Sequence, residues 1–342
     1  MRKILLVSLL VGIAISVGLA ASKGIIGIDS FAQSNPYFIA LNNEGAIPVL
    51  EAAGYQVVII DANQSPLAQS NAIYTFIGMH VKAILVTPID AKALTPAIEA
   101  AVKAGIPVYC ADEPAFGAPI SGVVETDNYL AGYNDGKYAI TLLENLQKKG
   151  EQPPFEIGIG TFNVDDACVQ RVLGFEDAIK TAPAGLIKVV AIHDDGANFT
   201  GGYSLASSWI NAFPKMKLML LCNDPSSIGG ASAISQLAPG RELYVLGIDG
   251  NPDAVKLIAS GTSPLIATAS QYPTFEGWQA AENLLALLDG KPYMNFIQTT
   301  SVIITKDNVI YPWAITPSAS IASQLTAVAT NISYPIDVTP HF

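Results

Sequence analysis

The chain has 342 residues and a formal net charge of −11, with only 14% of its residues charged. That balance argues against nucleic acid and against an anionic membrane surface as partners, since both need clustered Lys and Arg. Hydrophobic residues make up 50% of the chain, which at this length supplies two cores rather than one.

In chain order, Met1-Arg2-Lys3 leads into the apolar run 4–21, which closes on Ala20-Ala21-Ser22. This is the pattern of an export signal over residues 1–22. The run is also about long enough to span a bilayer, so an uncleaved membrane anchor stays open. Either way residues 23–342 are expected in the periplasm or on the outer face of the cell membrane. The first cysteine after the run is Cys110, so no N-terminal Cys is on hand for lipid attachment. Cys110, Cys168 and Cys222 each lie in or beside an apolar stretch and read as small buried residues; a bridged pair is open in an exported protein.

From residue 23 short apolar runs alternate with helical patterns. The predicted strands are 24–29, 56–61, 83–87, 106–110, 121–124, 156–160, 187–192, 217–222, 243–248 and 264–268. These runs are rich in Val, Ile and Leu, as strands buried on both faces require. Helices are expected over 39–53, 65–79, 93–104, 128–149, 168–182, 202–213, 227–237, 253–259 and 275–288. The alternation predicts an α/β fold with parallel sheets and right-handed crossovers. Gly54 and Gly105 each stand just past a helix and just before a strand, as a left-handed helix cap requires. The rhythm restarts after Lys148-Lys149-Gly150 and Pro153-Pro154, giving two doubly wound lobes with a cleft between the carboxyl ends of their strands.

Those strand ends are polar: Asp29, Asn35, Thr87, Asp112, Glu113, Thr126, Asp127, Arg171, Phe199, Asn223, Asp224, Asp249 and Gln271, Phe199 excepted. The loop Asp249-Gly250-Asn251-Pro252-Asp253 already holds a helix cap in Asn251, which frees Asp249 to face the cleft. Asn35 both donates and accepts hydrogen bonds, and Tyr37 and Phe38 offer flat apolar faces. A ligand with hydroxyls on its rim and C–H groups on its faces suits them, and sugars have that shape.

Over about residues 23–312 the chain resembles the periplasmic sugar-binding proteins of ABC importers, in particular the ribose-binding type of the type I periplasmic-binding fold. The resemblance is carried by Asn35-Pro36-Tyr37-Phe38, Thr126-Asp127-Asn128, Arg171-Val172-Leu173-Gly174-Phe175, Asn223-Asp224, Gly247-Ile248-Asp249-Gly250-Asn251-Pro252-Asp253 and Gln271-Tyr272-Pro273, in the family's order. It implies pocket roles for Asn35, Tyr37, Phe38, Asp112, Arg171, Phe199, Asn223, Asp249 and Gln271. It also implies a three-segment hinge near Thr126-Asp127, Gln271-Tyr272 and Thr299-Thr300. On that basis one lobe spans 23–126 plus 272–298 and the other 127–271 plus 299–312, with 313–342 a tail of unassigned role. Two departures bear on the ligand. Glu113 stands where the ribose binders carry Arg, and Thr87 stands where they carry Asn. The change shifts the pocket from donating toward accepting, so another pentose, a hexose, a polyol or an amino sugar each suits an acid-rich site of Asp29, Asp112, Glu113 and Asp249.

The expected function is capture of a small sugar by closure of a monomer's two lobes, followed by delivery to a membrane permease. It needs neither catalysis nor a cofactor. A sugar sensor is the alternative, and a carbohydrate-active enzyme using a carboxylate pair a further one. For the enzyme the chain offers little else. His80, His193 and His341 lack metal-ligand spacing, Asp194-Asp195 reads as a solvated turn, and Gly24-Ile25-Ile26-Gly27 lacks the third glycine of a dinucleotide fingerprint.

Overall fold

The computed structural model describes residues 22–331; the expected export segment lies outside them, apart from Ser22. The chain runs through β1 (Ile25–Ser30), α1 (Pro36–Ile39), a π-helical turn (Ala40–Ala46), α2 (Ile47–Ala52), β2 (Gln56–Asp61), α3 (Pro66–Gly78), β3 (Ala83–Val86), α4 (Thr95–Lys103), β4 (Val108–Asp112) and β5 (Gly122–Thr126). It then crosses into a second βα series: α5 (Asn128–Lys148), β6 (Phe155–Thr161), α6 (Asp166–Ile179), β7 (Ile187–Asp194), α7 (Phe199–Ala212), β8 (Met216–Leu220), α8 (Asp224–Leu237), β9 (Tyr244–Asp249), α9 (Pro252–Ser260) and β10 (Leu265–Ser270). The last elements are α10 (Pro273–Leu288), β11 (Phe296–Thr299), β12 (Ile303–Thr305), a 3-10 turn (Pro312–Ala314), α11 (Ala319–Leu325) and β13 (Thr326–Thr330).

Two sheets result, ordered β13-β11-β5-β4-β3-β1-β2 and β12-β10-β9-β8-β6-β7. All pairings are parallel except β11 with β13 and β10 with β12, which are antiparallel edge pairs. Alternate residues of one strand feed separate cores, as period-two side chains must. In the first lobe Leu85 and Tyr109 pack with Leu41, Leu50 and Leu284 on one face, while Ile84 and Val108 pack with Ile73, Phe76 and Ile98 on the other. The second lobe repeats this: Leu218 and Leu220 meet Leu143 and Phe175 on one face, and Met219 and Leu221 meet Trp209 and Ile234 on the other.

Helix starts follow local chemistry. Ser65, Asp127, Asp165, Asn198, Asn223 and Asn251 each accept a backbone N–H of the first turn with their side chains. Two expectations, on the first helix and on Asp195, need correction. The first helix begins at Pro36 rather than 39, because the Asn35 side chain already caps it by accepting from Tyr37 N at 3.0 Å. Cys110, Cys168 and Cys222 are all buried as expected, and the bridged pair left open is Cys168 with Cys222, Cys110 staying free. Asp195 is not a solvated turn residue. It is buried and accepts from Ala197 N and Cys222 N, and burial pushes its carboxyl up to about 6.

The short strands β11, β12 and β13 had no predicted counterpart. The tail to which no role was assigned returns to the first lobe: Trp313 is buried beside Tyr37, Thr300 N donates to Leu325 O, and β13 extends the first sheet at its edge. Among the described residues no helix is long and apolar enough to cross a membrane.

Candidate functional site

The carboxyl ends of the two sheets face each other across a narrow cleft. Its walls are Phe31, Asn35, Tyr37, Phe38, Gln64, Asp112 and Glu113 from one lobe, and Asp165, Ala167, Cys168, Arg171, Ala197, Asn223, Asp249 and Gln271 from the other side. The lobes are closed. Ala167 N of the second lobe donates to Glu113 Oε1 of the first at 3.3 Å. The cavity volume is about 30 Å³, so a ring-sized ligand is taken up only as the lobes part, and the loaded cleft is wider than this one.

Backbone geometry marks the same place. Six non-glycine residues among those described have positive φ: Asn63, Gln64, His80, Asp112, Ala197 and Asp249. Four of them, Gln64, Asp112, Ala197 and Asp249, line the cleft. Asp112 (φ 74°) and Asp249 (φ 145°) end β4 and β9, in conformations that favour glycine. Such strain costs on the order of 1–3 kcal/mol per residue and persists where surrounding contacts fix it, which is common at functional sites.

Those contacts form one network. The Tyr37 hydroxyl lies within hydrogen-bond distance of both Asp112 Oδ1 (2.8 Å) and Glu276 Oε2 (2.9 Å), which share its single proton. Glu276 Oε1 accepts from Thr126 Oγ1 (2.6 Å) and Thr299 Oγ1 (2.7 Å). Gln271 Nε2 donates to Asp249 Oδ1 at 3.1 Å. Arg171 Nε donates to Asn128 Oδ1 and its NH1 to Cys222 O, both at 2.9 Å, and NH1 lies 3.9 Å from Asp249 Oδ1. The placement of Arg171 depends on two glycines where α5 crosses α6. A Cβ on Gly132 would fall inside contact distance of Arg171 O, and one on Gly174 inside that of Tyr129 O. Asn223 caps α8 with Oδ1 while its Nδ2 donates to Ala197 O at 2.9 Å, which fixes the second wall.

Burial dominates the electrostatics. It pushes Asp112 up to about 8, with Glu276 adding to the rise. It also raises Glu113, Asp249 and Tyr37 well above their ordinary values. For Arg171 burial alone would lower the pKa, but Asp249, Asp165 and Asp112 outweigh it and hold the guanidinium charged. The result is a buried, acid-rich cavity whose hydroxyl-accepting groups line it together with the rings of Tyr37, Phe38 and Phe31.

Of the expected site residues the fold brings together Asn35, Tyr37, Phe38, Asp112, Glu113, Arg171, Asn223, Asp249 and Gln271. Four fall elsewhere. Phe199 is 48% exposed at the first position of α7 and stacks on Tyr203 with ring centroids 6.4 Å apart. Its place after the Asn198 cap turns it away from the cleft. Asp29 is fully buried inside the first lobe, where burial holds its carboxyl well above the usual range. Thr87 is buried and its carbonyl accepts from Gln69 Nε2. Thr126 sits behind Gln271, bonded to Glu276. Sequence reasoning missed Phe31, Gln64, Asp165, Ala167, Cys168, Ala197 and the supporting Glu276. Asp165 carried a readable signal as a helix cap three residues before Cys168; Glu276, in the first turn of α10, gave none.

Two doubly wound lobes closed over a polar, aromatic-walled cavity define a receptor for a small solute. The chain belongs to the periplasmic binding protein family, whose domain model matches residues 26–292. It is thus a binding protein of the periplasmic space rather than an enzyme. It is 26% identical over 272 residues to the ribose import binding protein of Salmonella typhimurium, covering 80% of this chain and 87% of that one. A solute-binding protein of an ABC transporter from Agrobacterium vitis, solved with bound D-fucose, superimposes with a TM-score of 0.74 at 25% identity, over 85% of this chain and 98% of that one. A periplasmic one from Actinobacillus succinogenes, with bound D-allose, gives the same fold with a TM-score of 0.74 at 23% identity, over 84% and 99% of the two chains.

Proposed function

We propose that this protein captures a monosaccharide, polyol or amino sugar between its lobes and hands it to the permease of an ABC importer. The observation that carries the reading is the convergence, inside one closed cleft, of Asp112 and Asp249, Arg171, Asn35, Asn223 and Gln271 around three aromatic rings. A carboxylate accepts from two vicinal hydroxyls, a guanidinium donates to ring and hydroxyl oxygens in a planar fork, and amides do both. Relatives with bound D-fucose and D-allose support the ligand class.

Lobe closure changes the outer face of both lobes, which lets a membrane partner distinguish loaded from empty receptor. In this reading Thr126-Asp127, Gln271-Tyr272 and Thr299-Thr300 form the hinge of a monomer, and Glu276, holding Thr126 and Thr299 together, ties the hinge strands to the pocket through Tyr37. Residues 1–22 act as export signal or anchor. Calorimetric titration of the purified protein, freed of copurified ligand, against pentoses, hexoses, polyols and amino sugars tests the reading. One-to-one binding of an unchanged ligand supports it, and no binding across the panel, or consumption of the sugar, overturns it.

A further inference from the structure

Hydrogen-bond donors are unequally shared among the acids of the cleft. Asp249 has Gln271 and Arg171, Asp112 and Glu276 share the Tyr37 hydroxyl, and Glu276 behind them also has two threonine hydroxyls. Glu113 has one backbone N–H, from Ala167 to Oε1, while its Oε2 receives no hydrogen bond although the residue is only 2% exposed. Its neighbour is another acid: Asp165 bears directly on Glu113, and its own Oδ1 is engaged by Cys168 N at 2.9 Å. Glu113 follows β4 of the first lobe and Asp165 precedes α6 of the second. Closing the cleft therefore brings together two carboxyls, and apart from the neighbouring Asp165 carboxyl no side chain among the described residues bonds to Glu113.

We propose that the ligand supplies the missing cation: the cleft takes an aminated sugar or polyol whose ammonium group lies between Glu113 of one lobe and Asp165 of the other. This deepens the proposed function and rests on it. An ammonium has three N–H donors and no acceptor, which suits two facing carboxylates. Burial beside Asp165 favours the protonated Glu113 carboxyl, whereas a cation between the two favours the ionised pair and holds the lobes together. Lobe closure is then coupled to the charge of the ligand as well as to its shape. Among the described residues no three His, Cys, Asp or Glu side chains are grouped to hold a metal ion. A cation seated here has to bring its remaining hydrogen bonds with it, as a hydroxylated amine does. Arg171 and Asp249, which line the same cavity, are left to bind the neutral hydroxyls of the ligand.

The test is calorimetric titration of the protein with amino sugars (glucosamine, galactosamine, an aminodeoxy polyol), their neutral hydroxyl parents and their N-acetyl forms. A charged hydrogen bond to a buried carboxylate predicts that the preferred amine binds roughly 10- to 100-fold tighter than its neutral parent and its N-acetyl form. Glu113→Gln should erase that preference, and so should Asp165→Asn, which keeps a competent cap on α6; thermal melting checks that both fold. Neutral parents binding as tightly as the amines would overturn the inference and leave the sugar-receptor reading standing. An amine preference that survives both substitutions would also overturn it, and failure of every sugar, polyol and amine to bind would remove both readings together.

Discussion

Asp112 and Asp249 combine an unfavourable backbone with an unfavourable burial, and both costs are offset by named partners. The Tyr37 hydroxyl serves the first, and Gln271 and Arg171 serve the second. Removing either end of the Arg171 and Asp249 pair leaves a buried group without its counter-charge, so Asp249→Ala or Arg171→Ala is expected to weaken ligand binding by more than about 100-fold. Melting should remain cooperative at a lowered temperature; calorimetry and circular dichroism on the same samples separate the two effects. A further prediction concerns pH. Burial holds Asp112 and Glu125 near 8 and Asp224 near 7 in the folded protein, against about 4 in an unfolded chain. The folded state therefore binds more protons between those values, so the stabilisation present at about pH 4 is lost as pH rises through about 7 to 8. Urea denaturation should show a lower midpoint at pH 8 than at pH 5, and Asp112→Asn should flatten the difference. A midpoint that rises over that interval would contradict neutral buried carboxyls.

At the scale of elements, α6 does more than carry Arg171. It contacts α5 so closely that Gly132 and Gly174 have no room for a side chain, and the Arg171 carbonyl lies in that contact. Gly174→Ala should push α6 away from α5, costing roughly 1–3 kcal/mol as in other overpacked sites. It should also reduce ligand affinity although residue 174 does not line the cleft. Chemical denaturation measures the first and titration the second, and a stable variant with parental affinity would show that α6 is not set by that contact. The helices themselves were legible because caps, prolines and apolar spacing are local. Asn251 was read as a cap from its neighbours, whereas Asn35 and Asn223, read as pocket residues, also cap helices that start earlier than expected. Phe199 was misplaced by the same locality: a residue just after a strand-end loop faces the cleft or the solvent depending on how the first turn of α7 is oriented, which the Asn198 cap decides. Asp29 shows the converse, since a residue ending a central strand alternates between lobe interior and cleft with the strand's register against β2 and β3.

For the whole molecule, the closed cleft is the central fact. Its residues are held by contacts that run from one lobe to the other, Glu113 to Ala167 among them, and by Trp313, whose indole donates to Asp249 O at 2.9 Å while its ring packs edge-on to Tyr37 at 5.7 Å. The C-terminal segment thus binds both lobes at the back of the pocket. Small-angle scattering should give a radius of gyration that decreases when a saturating ligand is added. An unchanged radius on binding would argue that the lobes do not move and that a partner reads something other than closure.

The sequence by itself determined the two doubly wound lobes, most of their elements and nine of the residues that meet in the cleft. Apolar periodicity, turn glycines and strand-end polarity are each encoded within a few residues of where they act. Tertiary structure alone decided that Cys168 reaches Cys222 across 54 positions, that Glu276 gathers Thr126 and Thr299 beneath Tyr37, and that the tail returns to complete the first sheet. It alone set Glu113 against Asp165. Each of these joins residues distant along the chain, and a contact of that kind depends on how two finished lobes fit together rather than on the spacing of residues within either one.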